Sequence, residues 1–170
     1  MQLRRAGVAD AAKLSLIGCA TFIESFANDH DGDEVVRYLA SDHSPEWYAR
    51  ELGNPAKAAW LVEEAVGCPV GYAMVIPATL PGTDPASDFE LKRIYMLSKW
   101  HGGGWGAKLF QAAEDEARAQ GAKRLVLSVY VENFSAQKFY AARGFETIGR
   151  WVFEGFDTSE DFIVAKDLSQ

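Results

Sequence analysis

Residues 102–106 read Gly-Gly-Gly-Trp-Gly, and they separate a strand-like run at 89–97 from an alanine-rich run that stops at Gly121. The pattern before the glycines suits a strand and the pattern after them a helix, so strand, turn and helix must follow one another here. Gly121 supplies the left-handed residue that closes such a helix. Backbone without side chains lets an anion come close. Consecutive N–H groups in the turn, with the unpaired first N–H groups of the helix, form a concave donor site with a positive dipole end behind it. A pyrophosphate fits that chemistry; a flexible surface loop is the other reading. A P-loop is excluded, because Gly106 is followed by Ala107-Lys108-Leu109 and no hydroxyl is placed for magnesium. Gly102, Gly104 and Ala107 formally meet the dinucleotide fingerprint, with Glu132 as its ribose acid. Too few strand–helix units remain to complete the doubly wound sheet which that fingerprint requires.

The rest of the chain is read by periodicity and punctuation. A short strand is predicted at 3–5, then a helix over 9–26 on Leu14, Ile17, Thr21 and Phe22. A second helix is predicted around Val35, Val36 and Leu39, and a third over 46–52 behind Ser44-Pro45. Strands at 59–63 and 70–76 form an antiparallel hairpin, and a proline-bearing loop covers 77–87. After the glycine turn come a helix over 105–120, a strand at 124–131, a helix at 135–143, and strands at 145–153 and 160–168. Strands interleaved with helices predict an α+β (α/β) sandwich, with helices on both faces of a mixed sheet.

At 170 residues the chain fits one domain, 1–170. A net charge of −7 and a pI near 5.0 exclude a general nucleic-acid partner, which needs a clustered basic face. No run approaches a membrane span, and the N-terminus lacks the apolar stretch of a signal peptide. Cys19 and Cys68 have no disulfide or metal spacing, so reduced thiols and a cytoplasmic location are expected. His30, His43 and His101 are scattered, and no metal is expected.

Two blocks together resemble a known family. His101-Gly102-Gly103-Gly104-Trp105-Gly106 is similar to the Arg/Gln-x-x-Gly-x-Gly/Ala acyl-CoA loop of the GNAT superfamily, with His in place of Arg or Gln. Asn133-Phe134-Ser135-Ala136-Gln137-Lys138-Phe139-Tyr140, followed by Gly144-Phe145, resembles that family's Asn-x-x-Ala-x-x-Phe-Tyr…Gly-Phe signature. Thr21 to Phe26, Val36 to Leu39, Glu51 to Asn54 and Glu90 to Tyr95, with Phe153-Glu154-Gly155 and Asp161-Phe162-Ile163, are similar to the PaiA-type bacterial polyamine N-acetyltransferases.

The resemblance implies a GNAT-like mixed, mostly antiparallel sheet with a splayed parallel strand pair at 89–97 and 124–131. It implies direct transfer of an acetyl group from acetyl-CoA to a primary amine, without metal. Tyr95, Met96 and Leu97 would meet the pantetheine arm, and a backbone N–H near Met96 would receive the oxyanion. His101, Gly102, Gly103, Gly104, Trp105, Gly106 and Ala107 would hold the pyrophosphate. Asn133 and Tyr140, seven residues apart, would share the helix face toward the cofactor. A phenol has one proton to give and a pKa above that of a thiol, so Tyr140 suits the general acid; packing beside Phe139 and Phe145 is its other reading. Glu90 is the candidate base, with an ion pair to Lys92 or Arg93 as its structural alternative. An ordered water, Glu24, Asp29 or Asp31 are other bases. The acids Glu24, Asp29 and Asp31 suit a small cationic acceptor such as a polyamine. A protein acceptor, and a non-catalytic acetyl-CoA-binding module, are the competing functions. Family members often dimerise, and no stretch here specifies an interface.

Overall fold

The computed structural model describes residues 1–152 and 160–169. The chain divides into two compact units, one of Met1–Met74 with Arg93–Ala113 and one of Val75–Lys92 with Glu114–Gln170.

The first unit opens with β1 (Gln2–Ala6), a 3-10 turn at Val8–Asp10 and α1 (Ala11–Phe26). Asp10 fixes that start, since its carboxylate accepts from the Gly7 N–H at 2.9 Å and from both terminal nitrogens of Arg4 at 2.9 and 2.7 Å. Ala11, Leu14, Ile17, Thr21 and Phe22 are buried at three- and four-residue intervals and give α1 one inner face. Gly18 shares that face, and a Cβ there would fall on the His43 ring and the Tyr48 hydroxyl. Asp31 caps α2 (Gly32–Asp42) by accepting from the N–H groups of Asp33 and Glu34. Ser44 caps α3 (Pro45–Leu52) by accepting from Trp47, with Pro45 at the first helical position.

β2 (Ala58–Glu63) is buried along its length and pairs antiparallel with β1, from Gln2 opposite Glu63 to Ala6 opposite Ala59. Glu63 is 2% exposed and meets Arg4 and Lys13, each at 2.7 Å. The Arg4 guanidinium holds both Glu63 and Asp10 at about 2, below the usual carboxylate range. A carboxylate with a depressed folded pKa stabilises the fold above its unfolded value and stops doing so as the pH falls through the folded one. The melting temperature is therefore expected to drop between pH 4.5 and about 2. Glu63→Gln should flatten that slope in melts followed by circular dichroism; an unchanged slope would remove Glu63 from the explanation.

β3 (Pro69–Pro77) and β4 (Asp88–Met96) each run from one unit into the other, as does α4 (Trp105–Ala119). In the second unit β4 pairs parallel with β5 (Arg124–Tyr130), Asp88–Glu90 against 124–126. β5 pairs antiparallel with β7 (Glu160–Asp167), and β7 with β6 (Glu146–Val152), with an irregularity between Thr147 and Gly149. The seven strands take the order β1-β2-β3-β4-β5-β7-β6, a mixed sheet in which β4 and β5 run parallel, as expected. Gly121, at φ 79°, ends α4: its N–H reaches the Arg118 carbonyl and the Ala122 N–H reaches Ala117, both at 2.9 Å. Phe153, expected as the end of β6, and the Phe153-Glu154-Gly155 segment lie outside the described residues.

Candidate active site

The glycine loop leaves β4 through Leu97 and a 3-10 turn at Ser98–Trp100 and ends on α4. Gly102 and Gly104 have φ of 83° and 74°, a region that side chains enter only at a cost. α4 begins with the Lys108 N–H donating to the Gly104 carbonyl at 3.1 Å, and the N–H groups before it have no acceptor inside the helix. Nothing lies within 4 Å of where a Cβ would stand at Gly102, Gly104 or Gly106. Donors, dipole and open space coincide, which fits a phosphate group. Lys108 adds a cation on the first turn, its Nζ 4.0 Å from the centre of the Trp105 ring.

His101 behaves differently from its neighbours. Its N–H donates to the Ser98 carbonyl at 3.0 Å and its Nε2 lies 2.8 Å from the Met96 carbonyl oxygen. Both donors act within the loop. Leu97 gives its N–H to the Val70 carbonyl at 3.0 Å. By the alternation of a strand Tyr95 is directed the same way and Met96 the opposite way. Of the three residues expected along the pantetheine arm, only Met96 turns its N–H away from β3. Gly71 of β3 makes room beside it, since a Cβ at 71 would fall on the Met96 sulfur and lie 3.0 Å from the Tyr95 carbonyl oxygen.

Two of the three acids expected to bind substrate, Glu24 and Asp31, have partners within the protein. Glu24 accepts from the Ser98 N–H at 2.9 Å and from its hydroxyl at 2.8 Å. Asp31 is the α2 cap, and Asp33 and Glu34 occupy that helix's first turn, where the dipole favours negative charge. Asp29 is exposed between α1 and α2. His30, between Asp29 and Asp31 in the chain, belongs to a cluster of rings: Phe22 lies 4.9 Å from Phe26 and 5.0 Å from Tyr38, and Phe26 lies 5.9 Å from His30 and 6.5 Å from Tyr95.

No local pattern marks Arg93, which anchors the neighbouring helices from below the surface. Arg93 is 5% exposed, donates to the Tyr48 hydroxyl at 2.8 Å and the Asp42 carbonyl at 2.7 Å, and lies 4.3 Å over the Trp47 ring. The Tyr48 hydroxyl also lies 3.1 Å from His43 Nδ1, so the arginine, the phenol and the imidazole form one buried chain of polar contacts. Burial, with the charge of Arg93, holds His43 down at about 2. This support stays in one charge state at neutral pH.

In the second unit α5 (Phe134–Ala141) carries Tyr140 and is closed at both ends. Asn133 is its N-cap, with non-helical angles of −83° and 69°, and its side chain accepts from the Ala136 N–H at 3.0 Å. The seven-residue spacing therefore does not put Asn133 and Tyr140 on one helix face, because the count starts outside the helix. Gly144, at φ 85°, lets its own N–H reach Ala141 at 3.1 Å and the Phe145 N–H reach the Tyr140 carbonyl at 3.2 Å. That closure seats the Phe145 ring 5.5 Å from Tyr140. Gln137, another unexpected contributor, ties α5 to the end of β5 through the carbonyls of Tyr130 and Val131 at 3.1 and 2.8 Å.

Tyr140 is 8% exposed and borders a cleft of ≈ 340 Å³ with Val129, Gln137, Phe162 and Val164. Burial pushes its phenol above the usual value, against the opposing charge of Arg143, so the proton stays on at neutral pH. Glu90 is 2% exposed; one oxygen accepts from the N–H and hydroxyl of Thr79, both at 2.8 Å, and the other meets Lys92 at 3.1 Å. Both oxygens are engaged, as in the ion-paired reading of this residue.

Residues 16–145 match the acetyltransferase (GNAT) family. The chain belongs to that family. An uncharacterised N-acetyltransferase of Mycobacterium tuberculosis is 31% identical to it over 160 residues, 94% of this chain and 98% of the relative. An aminoglycoside N(6')-acetyltransferase type 1 of Serratia marcescens is 28% identical over 135 residues, 74% of this chain and 92% of that protein. Among solved structures, the PaiA N-acetyltransferase of Thermoplasma acidophilum, in complex with coenzyme A, shares the fold with a TM-score of 0.77 at 18% identity over 98% of both chains. This GNAT protein is an acetyl-CoA-dependent N-acetyltransferase. Among the described residues no group of three or more His, Cys, Asp or Glu could hold a metal ion, and no helix is long and apolar enough to cross a membrane.

Proposed function

We propose that the acetyltransferase acts on a small cationic primary amine of the polyamine class, with the cofactor pyrophosphate on the backbone of residues 102–107 and Tyr140 as general acid. The acceptor class rests on the rings of Phe22, Phe26, His30, Tyr38 and Tyr95, with exposed Asp29, Asp31 and Asp33 close to His30 along the chain. Ring faces attract ammonium groups and pack on methylenes, and exposed carboxylates add to the attraction. The relative named for aminoglycosides also supports a small-molecule amine.

Acetyl-CoA supplies the acetyl group as an activated thioester. The Met96 N–H is the donor assigned to the developing oxyanion. Tyr140 holds the proton assigned to the leaving sulfur. An alkyl ammonium like that of lysine has a pKa of about 10.4 and must lose its proton before it can attack. Glu90 and Glu24 are both engaged, so solvent water takes that proton.

A panel of amines assayed for thiol release tests the acceptor class. Spermidine, spermine and short diamines should react faster than glutamate, choline or a lysine-free peptide. The rate should climb between about pH 6 and 9 as the bound amine deprotonates, and the amine KM should rise with salt as the exposed acids are screened. Ready turnover of lysine peptides with none of polyamines would transfer the assignment to a protein acceptor.

A further inference from the structure

Glu24 lies in the last turn of α1, and Ser98, 74 residues away, opens the 3-10 turn that leads into the glycine loop. Leu97 precedes that turn and supplies no side-chain cap. An uncapped N–H at such a start needs an acceptor. Glu24 provides one from another element, and by taking the N–H and the hydroxyl of one residue it fixes direction as well as distance. The same turn is held again at Trp100, whose Nε1 donates to Glu64 at 2.5 Å. Leu97 bonded to Val70, and the His101 ring bonded to the Met96 carbonyl, complete the stem. Gly102, Gly103 and Gly104 come next and have no side chains with which to hold their own shape.

We propose that Glu24 is a positioning residue for the cofactor loop: through Ser98 it holds the stem that aims the backbone donors of residues 102–107. The inference rests on the assignment of that loop to the cofactor, and it moves Glu24 from the acceptor to the opposite substrate. Charge and geometry then predict opposite signs. Glu24 and Glu64 are anionic groups bonded to the stem of an anion-binding loop, so repulsion alone makes loss of either charge tighten coenzyme A binding. Positioning makes it weaken.

Calorimetric titration of coenzyme A into the wild type, Glu24→Gln, Ser98→Ala and the double variant reads that sign without any acceptor. Each single substitution should weaken binding by about five- to tenfold, a modest effect because the bonded pair is exposed. The double variant should be no weaker than the weaker-binding single, since both changes remove one interaction. Melting temperatures should stay within about 2 °C, as for other exposed positions. Unchanged or tighter binding by Glu24→Gln overturns the proposal, as does a rise confined to the amine KM with Ser98→Ala silent, which returns Glu24 to the acceptor. Gly106→Glu separates the two failures. If that variant loses coenzyme A while Glu24→Gln keeps it, the positioning role alone is wrong; if both keep it, the loop assignment falls too.

Discussion

Tyr140→Phe should lower kcat by about 100- to 10,000-fold, the usual range for a general acid, while coenzyme A affinity stays unchanged. The substitution removes one oxygen and leaves the ring between Phe139 and Phe145, where centroid distances of 5.3 and 5.5 Å describe packing that phenylalanine reproduces. Because burial raises the phenol pKa, the wild-type rate should show no falling limb from Tyr140 between about pH 6 and 9. Single-turnover measurements separate the chemical step from release. A kcat within about twofold of wild type would make Tyr140 a packing residue and leave the protonation of the leaving thiol to water.

Gly106→Glu should abolish coenzyme A binding, a loss of at least about 100-fold, and raise the melting temperature by a few degrees. The two effects separate because a Cβ at Gly106 meets nothing within 4 Å and its φ is not in the left-handed region. Replacing a helical glycine gains roughly 0.5–1 kcal/mol, and a carboxylate in the first turn gains roughly 0.3–1 kcal/mol more from the helix dipole. The same carboxylate stands where the pyrophosphate is assigned and repels it. Calorimetry that finds normal affinity in a well-folded Gly106→Glu would move the cofactor site elsewhere.

The elements were legible because their signals are local. Leu14, Ile17 and Phe22 mark one face of α1, and Gly121 and Gly144 follow the ends of α4 and α5, which stop one and two residues before the expected ends. The two blocks that revealed the family turn out to be largely backbone chemistry. Asn133 and Gly144 are the two closures of the helix that presents Tyr140, and Gly102 and Gly104 are the left-handed residues of the loop. What composition could not resolve is the difference between a carboxylate that caps and one that binds. Asp31 looks the same in sequence either way, and Glu24 finds its partner only when Ser98 arrives from 74 residues downstream. Arg93 and Tyr48, 45 residues apart, and Trp100 and Glu64, 36 apart, are equally invisible to any window of local pattern.

The close approach of Gly71 to Met96 makes those two positions share one allotment of space. Neither can drift independently. A methyl group gained at 71 obliges 96 to shrink, and a bulkier or β-branched residue at 96 is tolerated only while 71 stays bare. Since 96 is the residue whose backbone turns toward the reacting carbonyl in our assignment, its side chain is open to redesign only as half of a pair. Libraries that add a side chain at 71 should therefore vary 96 in the same clone, because a methyl group at 71 alone falls on the Met96 sulfur.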